Sequence, residues 1–177
     1  MNAHGDDLWR TLDFLTVCHP LTSEIFRCWE AKRGIRQLPA RADIDSADLR
    51  KHLPGILIVE VVADERHYVY RLVGTREVMA RGADPTCQAV GERFFGSTRE
   101  RVLGNYDYVV ERRSYLLDKE SFVMPDGKVG DEEALFLPLV SDGENVDQIL
   151  VYTHHFWNPY QRRLGGRNWG HSPVTPE

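Results

Sequence analysis

The chain predicts an α+β domain: a five-stranded antiparallel sheet with helices on one face and a further helix ahead of the first strand. Five stretches of strand composition fall as a pair and then a triple, with helical sequence between them. The turns inside the triple both carry Asp-Gly, the strongest short hairpin signal. With 42% hydrophobic and 28% charged residues in 177 positions, there is apolar material for one core and no sign of a second.

Residues 1–20 read as a weakly ordered N-terminus, and residues 21–157 as the single domain. The first helix is expected over 22–33, capped by Thr22 or Ser23 and ended at Gly34. Its stripe of Ile25, Phe26, Cys28 and Trp29 has helical spacing. After the connector containing Pro39, Asp45 is expected to cap a short helix in "SADLRKHL" that Pro54 ends. The strand "GILIVEVV" (55–62) is apolar on both faces, and after the turn "ADER" its partner is "HYVYRLVGT".

Within that partner, "YVYRLVGT" stops abruptly. Gly74, lacking a Cβ, permits the exit, and Thr75 is expected to cap a short helix. Arg71 reads as a buried anchor on a nearby carboxylate, with an acidic ligand in the interior as the alternative. A longer helix is expected over 98–113, with Val102, Tyr106, Val109 and Val110 along one face. Strands then follow at 115–124, 132–140 and 146–157. The long helical crossover lets the third strand pair far from the first hairpin, and the fifth can return beside the first. Such a layout encloses a space between the helices and the concave sheet face. Residues 158–177, rich in proline and glycine, read as a flexible C-terminal tail.

Taken together, "LPARADIDSADLRKHLPGILIVEV", "YVYRLVGT" and "ALFLPLVSDGENVDQIL" resemble the signature blocks of a bacterial family of single-domain PAS proteins. The resemblance spans about residues 25–155. It implies a PAS-like fold and a sensory or regulatory domain that binds a small ligand or a protein partner and signals through altered association. It implies no catalytic machinery and does not name a ligand, so the cofactor stays unknown.

The candidate ligand-lining residues are Tyr70, Leu72, Met79, Phe94, Phe95, Tyr106, Leu137, Tyr152 and His154, aromatic or apolar walls with a few polar tips. His154 and His155 are neighbours on a strand and point to opposite faces, so the pair cannot chelate one metal or haem iron. Cys87 lacks the polar surroundings of a flavin-reactive cysteine, and Cys18, Cys28 and Cys87 are spaced for neither disulfides nor zinc. "DIDSAD" begins like a calcium loop, but Asp48 and Pro54 stand where glycine and glutamate are needed. No carboxylate pair stands out, and no nucleophile or phosphate-loop motif is present.

A net charge of -5 argues against nucleic acid as a partner. No apolar run has the length of a membrane span, and "MNAHGDDLWR" is acidic where a signal peptide is basic, so a cytoplasmic location is expected. The N-terminal helix with Ile25, Phe26 and Trp29 either covers the outer sheet face or docks on another subunit, and a homodimer through that helix and face is expected. Two other readings stay open: a cone-shaped α+β isomerase or dehydratase, which needs an acid beside His154 or His155 in a closed pocket, and a ligand-free scaffold, which needs a filled interior.

Overall fold

The computed structural model describes residues 14–96, 98–123 and 129–157. The segments read as a weak N-terminus and a flexible tail lie mostly outside them, as does the Pro125-Asp126-Gly127 turn. Residues 14–20 are described, and they overturn the expectation of weak order. Phe14–Val17 forms a short helix α1, and Phe14 is buried edge-on against Phe26.

Helix α2 spans Pro20–Arg33. Its cap is His19, not Thr22 or Ser23: the His19 imidazole accepts a hydrogen bond from the Leu21 amide at 3.2 Å. Pro20 at the first position has its φ preset and no N–H to satisfy. Thr22 is instead buried within the helix, and Gly34 ends it at a positive φ of 58°. The segment "SADLRKHL" forms turns and not the expected helix. Asp45 accepts from the Ala47 amide, and a short 3-10 turn follows at Leu53–Gly55.

Strands β1 (Ile56–Val61) and β2 (Tyr68–Val73) form the first hairpin. Helices α3 (Thr75–Arg81) and α4 (Arg99–Arg112) make the middle. Strands β3 (Leu116–Val123), β4 (Val129–Val140) and β5 (Val146–Trp157) complete an antiparallel sheet of order β2-β1-β5-β4-β3. The returning fifth strand does lie beside the first. Asp142 fixes the last turn by accepting from the Glu144 and Asn145 amides, with Gly143 at φ 87°.

Gly74 has an ordinary φ of -64°, so conformational freedom is not its purpose. A Cβ there would stand 2.4 Å from the carbonyl oxygens of both Leu53 and Pro54. The strand exit needs glycine because two backbones touch. Gly74 itself is the N-cap of α3, and Thr75 is the first helical residue. Arg71 is not buried: it lies exposed on β2, with Nε 3.3 Å from Glu60.

Both sheet faces are covered. On the inner face, α4 packs on β3 and β4 with Val102, Asn105, Tyr106 and Val109 turned inward. On the outer face, α2 lies on β4 and β5 and buries Ile25, Phe26 and Trp29. The Trp29 indole donates to the Pro138 carbonyl at 3.0 Å, and the His19 amide donates to Glu133 at 2.9 Å. This removes the premise of the expected homodimer. The apolar stripe of α2 and the outer sheet face bury each other within one chain.

Candidate functional site

Period-2 alternation and the strand register decide what the inner face carries. Leu57, Val151, Phe136 and Leu116 are aligned across the sheet, giving an apolar row. The next row is Thr153, Ala134 and Asp118, and the row beyond it is His155, Glu132 and Glu120. The concave face therefore runs from hydrocarbon to charge within two steps along β5.

Helix α3 closes over the charged end. Glu77, four residues before Arg81 and so on the same side of the helix, has no solvent exposure. Its Oε1 accepts a hydrogen bond from the Thr153 hydroxyl and lies 3.3 Å from His155 Nε2. The same ring nitrogen is 2.9 Å from Glu132 Oε2. Arg81 balances the cluster from the side. Its Nη2 is 3.7 Å from Glu77 Oε2, its Nη1 donates to the Tyr70 hydroxyl at 3.2 Å, and its guanidinium stacks 5.0 Å from the Phe95 ring and 5.2 Å from that of Tyr70. On the α4 side, Arg101 bridges Asp118 at 2.6 Å and Glu120 at 3.4 Å, and Asn105 donates to Asp118 at 2.8 Å.

Glu132 and His155 shift one another. Burial raises the Glu132 carboxyl, and repulsion from Glu77 adds to it, while the His155 hydrogen bond opposes both. Burial pulls the His155 imidazole down, but the Glu132 hydrogen bond and the negative charges of Glu77 and Glu132 outweigh it. The net direction for His155 is upward, so the cluster holds a proton more tightly than free histidine does. His154, one residue away on the other face, goes the opposite way. Burial, then His19 and Arg76, lower it to about 4.

Between the two layers is a cavity of about 30 Å³. That is room for about two water molecules. Its walls are the aromatic rings of Tyr70, Phe95, Tyr106 and Phe136, and its polar edge includes Arg81, Asn105, Asp118, Glu132 and Thr153.

Of the residues expected to line such a space, Tyr70, Phe95 and Tyr106 do. Leu72, Met79 and Phe94 are turned to solvent, at 43%, 79% and 39% exposure. Leu137, Tyr152 and His154 belong to the outer face. There His154 stacks 3.5 Å from the His19 ring, and Arg76 lies 5.7 Å over Tyr152. Strand alternation is the reason: Tyr152 and His154 share one face, and Thr153 and His155 the other. Cys87 is exposed and does not line the cavity.

Of the charged half of the site, Glu77, Glu132 and Asp118 escape the sequence reading, which weighs His155 but names no acid beside it. Their one local signal is Glu132-Glu133 at the head of an apolar strand. They take opposite faces: Glu132, partly buried, lies beside His155, and Glu133, fully buried, lies against Lys119 at 2.9 Å.

A PAS domain family model matches residues 17–152. No protein of curated function matches the chain. Among solved structures, a light-oxygen-voltage domain described with a flavin analogue is 12% identical over 66% of this chain and 87% of its own, with a TM-score of 0.50. A Vibrio cholera VqmA–ligand–DNA complex is 14% identical over 62% of this chain and 49% of its own, with a TM-score of 0.51. At such identities the likeness is one of fold.

Proposed function

The chain belongs to the PAS domain family, and from that premise we propose that it is a non-catalytic sensory domain whose interior takes a ligand of only a few atoms. The observation that carries this is the polar-edged cavity of about 30 Å³ between the sheet and α3–α4. Organic ligands of ordinary size occupy pockets of about 300–1,000 Å³. A flavin like the one in the light-oxygen-voltage relative does not fit these residues: Tyr70, Phe95, Tyr106 and Phe136 fill the place of a ring system, and Cys87 is on the surface.

The His155–Glu132 contact is the acid-histidine pair that an isomerase-like reading asks for. Two features speak against that use. Nε2 is engaged by two carboxylates, and the imidazole does not line the cavity, so a substrate there would meet Glu132 and Thr153 instead. No described helix is long and apolar enough to cross a membrane. The proposed place of action is the cytoplasm. Output passes through altered association with a protein partner or a second copy.

The test is native mass spectrometry of the purified full chain, with its visible spectrum. The expected result is the mass of the polypeptide, with nothing heavier than water or an ion retained and no chromophore. A co-purified flavin, haem or fatty acid would overturn the reading.

A further inference from the structure

Glu77, Glu132 and His155 come from three different elements, α3, β4 and β5, and one ligand atom from each lies within 4.8 Å of the others. We propose that these three side chains form a binding site for a first-row divalent metal ion.

The spacing suits it. Oxygen and nitrogen donors about 2.0–2.2 Å from one ion stand about 2.8–3.6 Å apart at octahedral to tetrahedral angles. The His155 Nε2 to Glu77 and Glu132 distances are 3.3 and 2.9 Å. Two carboxylates with one imidazole suit zinc, manganese, iron or cobalt better than calcium, which takes six or more oxygens. Neither metal-binding carboxylate is on the surface, where acidic clusters are common and solvated. Glu77 is fully buried, and its Oε2 accepts no hydrogen bond.

Charge gives a second and independent reason. Four carboxylates face this interior: Glu77 from α3, Asp118 and Glu120 from β3, and Glu132 from β4. Two guanidiniums oppose them directly, Arg81 from α3 and Arg101 from α4. The remaining nearby cation, Arg76, donates to the Thr153 carbonyl and lies over the outer-face ring of Tyr152. Tyr70 and Asn105 contribute no charge. Even with Arg76 counted, the four carboxylates outnumber the guanidiniums, so the interior carries a net negative charge that a cation would offset. The cavity beside Glu132 has space for the waters that complete a coordination shell.

The experiment uses the full chain freed of metal by chelation, titrated with Co²⁺ alone near neutral pH. Visible spectroscopy reports the ligand field, and calorimetry reports stoichiometry and affinity. The expected result is one Co²⁺ per chain. Glu132→Gln and His155→Gln should each weaken binding by at least about tenfold, while the exposed His67→Gln leaves it unchanged. Should the variants fail to fold, proton NMR of the wild-type Co²⁺ protein decides: a paramagnetically shifted His155 imidazole supports the site. The site is overturned by absence of binding, by affinity unaltered in both folded variants, or by shifted signals confined to other histidines. Because these readouts follow coordination alone, their failure leaves the sensory reading standing, and an organic ligand found by mass spectrometry leaves the metal site standing.

Discussion

Glu77→Leu is expected to cost about 3–5 kcal/mol of folding stability, measured by urea denaturation at neutral pH. The side chain is fully buried, so the loss is not softened by water. Removing it leaves the Thr153 hydroxyl only the longer bond to the Gly55 carbonyl, at 3.3 Å, and takes from His155 one of two carboxylates. It also leaves the Arg81 guanidinium, only 12% exposed, facing Leu in place of a negative charge. The pair acts as a unit, which gives the prediction a second arm. Adding Arg81→Met to Glu77→Leu removes the stranded charge, and the double variant should be more stable than the single one. Simple additivity of the two substitutions would refute the coupling.

Trp29→Ala is the other large expected effect, again about 3–5 kcal/mol. The indole is 5% exposed at the centre of the α2 contact with the outer sheet face, near the rings of Phe26 and Tyr115. Truncation opens a cavity and leaves the Pro138 carbonyl without its donor. Hydrogen exchange in α2 should rise while β1–β5 stay protected, since the inner-face core through Tyr106 and Phe136 does not depend on the indole. Uniform deprotection of α2 and the sheet together would show that the helix is not a separable layer. Stability within about 1 kcal/mol of wild type would contradict the packing described.

Much of this architecture was legible in the residues. Asp-Gly turns, apolar runs and the helical stripe over Val102, Tyr106 and Val109 placed the strands and α4 to within a few positions. β4 starts three residues earlier than expected because Val129–Asp131, polar and glycine-bearing, gain their place from pairing with β3 and β5, not from composition. The α2 cap was missed because histidine is an uncommon cap, and here its ring is also held by the stack on His154.

The site was less legible for a specific reason. Aromatic residues announce themselves as core, and three of them do border the cavity. Which face a strand residue takes depends on parity, and counting alone put Tyr152 and His154 with the wrong partners. Glu77 and Glu132 are 55 residues apart in sequence. Nothing local marks two acids as buried together until the β4–β5 register and the α3 exit meet at His155. Gly74 is the hinge of that meeting: the carbonyls of Leu53 and Pro54 against it set where α3 begins, and so where Glu77 arrives.

The pH dependence follows from the directions of these shifts. A histidine whose folded pKa is raised binds its proton more tightly in the native state. The stability His155 contributes is fully present below its unfolded value of 6.5 and is lost as pH rises through the raised folded value. His154, lowered to about 4, acts in reverse: it destabilises progressively as pH falls from 6.5 towards 4. Burial lowers both imidazoles; on the inner face Glu132 and Glu77 outweigh it, and on the outer face His19 and Arg76 reinforce it against Glu133.

Histidine-resolved NMR titration of the intact chain tests this most directly. The described arrangement requires the His155 ring to titrate above 6.5 and the His154 ring near 4. Both rings titrating together close to 6.5, or His155 falling below it, would mean that no buried Glu77–His155–Glu132 cluster ties α3 to the sheet.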